Sequence, residues 1–396
     1  MLLFGWLLAG GTLHAQAGCT DPQATNYAAG AATNDGSCVY PSTIQQASFL
    51  VSLPDALDEC SGLVFFGDQL WAHNDGGNAA VLHRVDTLSG EILREVAVAN
   101  ATNVDWEDIA QSETHLFIAD MGNNLGSRTD LRIYRVAKAD LLVNHAVNAE
   151  LITFNYADQT DFTAAPQANN YDAEALLFAG DSLHLFTKNW LDKQTRHYVL
   201  PAVPGNYSIA PRDTFNVNGL LTAAANYRDT TAMLLGYDLD NGAVFGWLLF
   251  DFPAGQPLQG NKRRLELGLV LTLSQAEALT WRTAIGGYIG SESASVLAAR
   301  LSTFSAQPFL ENPTALDALV APELLRVRPN PTTETIYVTR PGAAPRAELR
   351  VYRPTGRLHV RRTLDAPETA IATGSWPPGL YYFVVEGRYG TWVVKS

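Results

Sequence analysis

Four glutamates, Glu59, Glu107, Glu174 and Glu277, stand at or just before the start of short apolar runs in a chain with only 17% charged residues. Carboxylates gathered at one place raise one another's pKa unless a cation or a donor compensates. Hard oxygens of this type suit Ca²⁺, so these four are the expected metal ligands and Ca²⁺ the expected cofactor. The alternative is that each accepts hydrogen bonds from loop amides. Beyond the runs lie "HNDGGN" (His73 to Asn78), "DMGNNLGSR" (Asp120 to Arg128) and Lys188. They make Asn74, Asp75, Asp120, Asn123, Asn124, Arg128 and Lys188 the candidate ligand-binding residues. Gly76, Gly77 and Gly122 permit tight turns that bring backbone close to a ligand. Turn chemistry alone also accounts for Asn-Gly clusters. His73 is the candidate for acid/base work, since an imidazole titrates near neutrality, although a lone histidine at a strand end is commonly just packed. The sequence contains no GxSxG, HExxH, P-loop or CxxC pattern, so no nucleophile can be named and catalysis stays open.

The elements that must position these residues repeat. Five segments, "ECSGLVFFGDQLWAHND", "WEDIAQSETHLFIAD", "AEALLFAGDSLHLFTKN", "LTAAANYRDTTAMLLGYD" and "AEALTWRTAIGGYIGSES", each read as two apolar strands joined by a polar turn. Further strand-like runs follow each, such as "LRIYRVAK" and "AVFGWLLFDF". Unit starts lie 47 to 67 residues apart, which matches four-stranded β-propeller blades with their loops. The lone strand in "QQASFLVSLP" completes the last unit and closes the ring, removing two exposed sheet edges. The expected fold is therefore all-β: a five-bladed β-propeller over residues 45–310, followed by a small C-terminal β-sandwich. Six blades are the alternative if 137–170 hides another, and a plain β-sandwich is the competing architecture. In a propeller the innermost strands converge, so pairing Glu107 with Asp120 places both at the channel mouth, with Asp108 pointing away into a blade interface. Trp71, Trp106, Trp190 and Trp281 could form a carbohydrate platform, though blade cores also use Trp.

The string "SGL…LWAHNDGGN…DWEDIA…IADMGNN" is similar in style to phytase-like and lactonase-type propellers. That resemblance implies Ca²⁺ at the axial mouth and, as an alternative to simple ligand binding, Ca²⁺-dependent hydrolysis of a phosphate ester or lactone.

Composition bounds the partners. The net charge is −13. From Arg326 onward eleven Lys/Arg face five Asp/Glu, about +6, which leaves about −19 on the rest. Such a body repels nucleic acid and anionic membranes and favours cations.

The two ends speak of export. Residues 1–17 have an apolar run and the small-residue pattern "AQA", as a signal peptide does. Acylation of Cys19 is the alternative. No later run is apolar enough to span a membrane as a helix. Cys19 and Cys38 bracket a short polar segment, and joining them would remove roughly 3 kcal/mol of unfolded-chain entropy in an oxidising compartment. Cys60 is then left as a buried thiol. Asp21, Asn26, Asn34 and Asp35 are either Asx-turn residues or oxygens for an ion. Residues 18–41 resemble the "GCTDPxAxNY…DGSC" module of exported Bacteroidetes proteins. After a linker at 311–324, residues 325–396 carry "RPNP", "VYRPTGRL", "PPGLYYFVV" and "WVVKS". These resemble the type A C-terminal sorting domain of the type IX secretion system. That resemblance implies passage through the periplasm and outer membrane, with the product secreted or held on surface polysaccharide.

Overall fold

The computed structural model describes residues 16–294, 297–310, 326–329, 331–339, 347–353, 357–366, 368–385 and 389–395. Most of the expected signal segment, the linker and several C-terminal turns lie outside them. The chain separates into two compact units, Met1–Leu310 and Glu311–Ser396.

In the first unit five antiparallel meanders follow one another in sequence. The first sheet runs Cys60–Phe66, Gln69–Asn74, Val81–Val85 and Ile92–Val98 from inside outward. The second runs Trp106–Gln111, His115–Asp120, Arg132–Ala137 and Glu150–Tyr156. The third runs Ala173–Ala179, Ser182–Thr187, Thr195–Pro201 and Pro211–Phe215. The fourth runs Leu220–Tyr227, Thr231–Asp238, Ala243–Phe250 and Asn261–Leu269. The fifth runs Gln275–Thr283, Gly286–Glu292 and Arg300–Ser305, and its outermost strand is Ser48–Ser52, which pairs with Arg300–Thr303. The start of the chain thus completes its last sheet, as the unpaired early strand requires. Each innermost strand neighbours those of the sheets before and after it, and the fifth returns to the first. The architecture is β-propeller-like.

Residues 137–170 form no separate sheet. They contribute the helix Lys138–Val143, the strand Ala146–Val147 added in parallel to the first sheet, and the outermost long strand of the second. The hairpin turns at Gly67–Asp68 and Gly180–Asp181 have positive φ at both residues, the geometry that matches the twist of the flanking strands.

The core is apolar side chains packed between adjacent sheets. One cluster joins Trp71, Val64 and Leu82 to Trp106, Ile109 and Leu116, and another joins Phe186 and Leu177 to Phe245 and Leu249. Trp71, Trp106 and Trp281 are buried in such clusters, which assigns them to packing, while Trp190 is half-buried.

Along every innermost strand the ladder shifts register near its start. Cys60 pairs with Asn74 but Gly62 with His73, so Ser61 is an extra residue. The same break isolates Glu107, Glu174, Thr222 and Glu277. A bulge of this kind re-aims one side chain and increases local twist. The residue after each bulge is Gly62, Asp108, Ala175, Ala223 or Ala278. Four are small, as crowding at an axis demands. The fifth, Asp108, is fully buried, and its Oδ2 accepts the N–H of Leu176 at 2.7 Å and of Ala224 at 2.9 Å, while Oδ1 accepts that of Ile109. The expectation that Asp108 turns away into a sheet interface is therefore corrected: it pins three innermost strands together. Alternation fails there because the bulge inverts the sequence of faces. Burial pushes its carboxyl up to about 8, against three N–H groups that favour the carboxylate.

Cys19 and Cys38 are disulfide-bonded, and Cys60 is a buried free thiol pushed up to about 12 by burial. Asp21, Asn26, Asn34 and Asp35 all accept local backbone N–H groups or, for Asn26, bridge Val39 and Ser37, which is turn chemistry. Among the described residues, no helix is long and apolar enough to cross a membrane.

The second unit contains two antiparallel sheets. One orders Arg326–Arg328, Thr335–Thr339 and Glu368–Ala372, and the other Leu358–Leu364, Ala347–Tyr352, Gly379–Val385 and Tyr389–Lys395. They share a core of Ile336, Val338, Leu349, Val351, Leu364, Ile371 and Phe383.

Candidate functional site

The bulges create the site. Two of the five bulged residues carry hydroxyls, and each donates to the next innermost strand: Ser61 Oγ to the Glu107 carbonyl at 2.6 Å and Thr222 Oγ1 to the Ala276 carbonyl at 2.7 Å. The other three are Glu107, Glu174 and Glu277, all buried. Ser61 rather than Glu59 occupies the first sheet's place in the ring. Glu59 lies two residues earlier, is exposed, and accepts from Asn78 Nδ2. This corrects the expected set of four equivalent glutamates, because the sequence alignment of hairpins hid the register of the first one.

Glu107 joins two carboxylates that come from loops. Asp75 follows the second strand of the first sheet, and Asp105 precedes the first strand of the second. Ligand oxygens of Asp75, Asp105 and Glu107 all lie within 4.8 Å of one another, compatible with sharing one ion at Ca²⁺–oxygen distances of about 2.4 Å. The loops that hold them are stitched together. Asn103 Nδ2 donates to the carbonyls of Asn74 and Asp75, and the N–H groups of Met121 and Gly122 donate to the Asp105 carbonyl. Two glycines back the carboxylates. A Cβ on Gly122 would stand 1.9 Å from Glu107 Oε1 and 2.5 Å from Asp105 Oδ2, and one on Gly76 would stand 2.5 Å from Asp105 Oδ1.

The electrostatics follow from crowding. Burial, then the fields of Asp75, Asp172 and Asp120, push Asp105 up to about 7, with Arg128 opposing. Burial and the charges of Glu174, Asp75 and Asp105 hold Glu107 well above the carboxylate range. Glu174 and Glu277 are raised by burial in the same way, and Glu292 reaches about 9 through burial and Glu277. Lys188 answers the other side of the ring: its Nζ is 3.2 Å from Glu174 Oε1, and the ammonium lies over the rings of Trp190 and Tyr237 at 5.2 and 5.5 Å. Burial would neutralise it, but Glu174 and Glu277 hold its pKa well above the ordinary value. Lys188 thus pairs directly with one side of the ring, whereas among the described residues no Lys or Arg forms an ion pair with Asp75, Asp105 or Glu107, which feel Lys188 and Arg128 only at longer range.

The remaining expected residues frame this site. Asn74 is buried with Nδ2 on the Ala56 carbonyl, and Asn123 caps its loop through Arg128 N–H and Tyr171 O. Asn124 is exposed. Asp120 is fully buried, accepting from Arg128 at 2.8 Å and from Asp105 N–H at 3.1 Å. Arg128 spends its guanidinium on Asp120, the Gly122 carbonyl and Asp130, so it braces the loop rather than facing a ligand. His73 is fully buried, packed over Gly62 and edge-on to Trp106, with Nδ1 beside the Asn74 carbonyl. Burial lowers its pKa to about 4. A neutral packed imidazole does not serve as acid or base at the rim, which corrects the acid/base candidate.

Sequence reasoning missed Asp105 and Asp172, and it set Glu292 opposite Glu277 at the rim without counting it as a site residue. Asp172 accepts from Asn123 N–H and Trp190 Nε1. A signal was present in "DWED", three acids in four residues ahead of a strand, beside a glycine-rich loop.

No family model matches this chain, and no curated protein matches it. Solved structures give distant likenesses. PorZ, a surface component of the type IX secretion system of Porphyromonas gingivalis, is 11% identical over 84% of this chain and 44% of its own length, with a TM-score of 0.33. The calcium-binding protein regucalcin of Agrobacterium tumefaciens is 10% identical over 67% of this chain and 95% of its own, with a TM-score of 0.35. A candidate 6-phosphogluconolactonase of Bacteroides uniformis is 12% identical over 81% of this chain and 89% of its own, at 0.32. The chain spans less than half the length of PorZ. Scores of this size carry no argument about ligand or activity.

Proposed function

We propose that this is an exported, five-bladed β-propeller that binds a glycan or another surface partner with a Ca²⁺ ion at its acidic mouth. The observation that carries the reading is the convergence of Asp75, Asp105 and Glu107 within 4.8 Å, closed from behind by two glycines with no room for a side chain. Three carboxylates supply hard oxygens, and an ion among them would offset the burial and, after it, the neighbouring acidic charges that raise all three. Glu174 and Glu277, matched by Lys188, then form the neighbouring wall, with Trp190 half-buried at its edge.

The rest of the chain serves delivery. Residues 1–17 act as a signal peptide, 18–41 as a disulfide-linked module, 45–310 as the propeller, 311–324 as a linker and 325–396 as a β-sandwich read by the type IX secretion machinery. The disulfide supports an oxidising destination outside the cytoplasm. The sequence motifs "RPNP" and "PPGLYYFVV" support the sorting role.

The test uses the full chain purified after chelator dialysis. Calorimetry at pH 7.5 is expected to show one Ca²⁺ per chain, with polysaccharide retention on an affinity gel lost in chelator. Absence of Ca²⁺ uptake at millimolar concentration would sink the reading. Calcium-dependent turnover in an esterase, lactonase and phosphatase screen would instead make the same site a hydrolase.

A further inference from the structure

The segment 18–41 packs on the propeller at its last seam. Its own interior is small: Cys19, Ala24 and Cys38 are its buried apolar residues, with the Tyr40 ring packed against them. The bridge between the two cysteines is therefore the main element fixing its shape, since so few apolar groups cannot offset the chain entropy. Asn26 closes the loop from within, accepting the Val39 N–H at 2.8 Å and donating to the Ser37 carbonyl at 2.8 Å.

Arg263 docks this segment. It lies on the fourth sheet's strand Asn261–Leu269 and is buried. Its guanidinium lies over two rings, 4.1 Å from the Phe309 centroid and 5.0 Å from that of Tyr40. Nη1 donates to Gln23 Oε1 at 2.6 Å, and Nε and Nη2 donate to Thr43 Oγ1 at 3.2 and 3.1 Å. Around it, Asn34 Nδ2 donates to Asn261 Oδ1 at 3.1 Å and Gln23 Nε2 to the Pro308 carbonyl at 2.9 Å. Asn261 belongs to the fourth sheet. Pro308 and Phe309 belong to the helix Gln307–Leu310, which follows the fifth sheet's strand Arg300–Ser305. The segment therefore bridges the two.

The chain then becomes the strap that closes the ring. Thr43 and Ile44 pair in parallel with Leu265 and Glu266, and the N–H groups of Gln45 and Ala47 donate to the Glu266 and Leu267 carbonyls at 3.0 and 2.8 Å. Ser48–Ser52 crosses to Arg300–Thr303 of the fifth sheet. The first half of this strap is weak by itself, a two-residue strand with Ile44 75% exposed. Thr43 is held by Arg263, the same side chain that grips Gln23 and Tyr40.

We propose that segment 18–41 is an oxidation-dependent latch, which holds the strap 43–52 across the seam between the fourth and fifth sheets while Cys19 and Cys38 are joined and releases it when they are not. Closing the latch takes two electrons and two protons from the two thiols. They pass to the disulfide of an oxidising exchange partner, which leaves as a dithiol. Cys60 takes no part, because it is fully buried and burial pushes its thiol up to about 12. Release uncovers the edges of both sheets, which are sites for strand addition. The latch acts whether or not an ion occupies the mouth. A chain in a reducing compartment thus keeps its last seam unfastened until it reaches an oxidising one.

Hydrogen exchange on the full chain tests this. The unaltered protein is compared with Cys19→Ala/Cys38→Ala, which stands for the reduced state, and with Arg263→Ala, which keeps the bridge but loses the dock. In the first variant, amides of residues 19–40 are expected to lose about a hundredfold in protection, the loop-closure entropy of a bridge of this span. In both variants the amides of Gln45 and Ala47 are expected to lose about tenfold, the equivalent of one backbone hydrogen bond. Those of His115–Asp120 in the second sheet are expected to stay within about twofold of the unaltered chain. Combining the variants is expected to release the strap no further than either alone, because both undo the same contact. Unchanged protection of Gln45 and Ala47 in either variant, an equal loss in the second sheet, or fully additive losses would each overturn the proposal.

Discussion

Replacing Asp105 by Asn separates the cost of the acidic mouth from its use. Asp105 is held at about 7 against an ordinary value of 3.8. Between those values the folded chain keeps a proton that the unfolded chain has released, so stability is fully present below about pH 4 and lost as pH rises to 7. At 1.36 kcal/mol per pH unit the full difference is about 4 kcal/mol. Asp105 is only partly buried, and solvent screening reduces this to about 2 kcal/mol. For a unit of this size that corresponds to a thermal midpoint about 4 °C lower at pH 8 than at pH 4. The assay is differential scanning calorimetry in chelator, comparing the unaltered chain with Asp105→Asn. His73, His184 and His197 have depressed values and act in the opposite sense, losing stability as pH falls below 6.5, but they are common to both proteins and cancel. The variant should be the more stable of the two at pH 8 and equal at pH 4. Calcium at a hundred times its dissociation constant should add about 2.7 kcal/mol to the unaltered chain and far less to the variant. Parallel pH profiles in chelator, or an equal calcium response, would refute the electrostatic account of the mouth.

Three further outcomes follow from named contacts. Asp108→Ala leaves the N–H groups of Ile109, Leu176 and Ala224 without their acceptor, and should cost about 3–5 kcal/mol in a urea unfolding midpoint. A loss under 1 kcal/mol would mean that the axis is held by packing alone. Lys188→Met strands Glu174 and Glu277, so its destabilisation should be several kcal/mol at pH 8 and should shrink as pH falls, because protonation removes the stranded charges. A pH-independent loss would contradict the pairing. Gly122→Ala drives a methyl group into Glu107 and Asp105. It should abolish calcium uptake in calorimetry while leaving the far-ultraviolet circular dichroism unchanged, and retained uptake would place the ion elsewhere.

Repetition was legible in the chain itself. Hairpins with polar turns, a spare early strand and a period near that of a four-stranded blade led to the five sheets and to the closure by Ser48–Ser52, because alternating hydrophobicity and edge pairing are local and combinatorial constraints. The C-terminal segment, expected to be a small β-sandwich, likewise folds into strands, Thr335–Thr339 and Gly379–Val385 among them. Register was not legible. A bulge adds one residue without changing composition, so Glu59 looked equivalent to Glu107, and Asp108 looked as though it faced away. Which charges meet was a tertiary matter only in part. Glu174 met Lys188 across its own hairpin, a pairing that counting back from the turn at Asp181 already gives, whereas Glu107 found Asp105 and, from another sheet, Asp75, which no hairpin arithmetic could show. Sequence by itself determined that acids would gather at one end of each hairpin. Only the tertiary structure brought Asp75 and Asp105, from loops of two sheets, against Glu107, because the fields that couple them act through space and ignore the order of the chain.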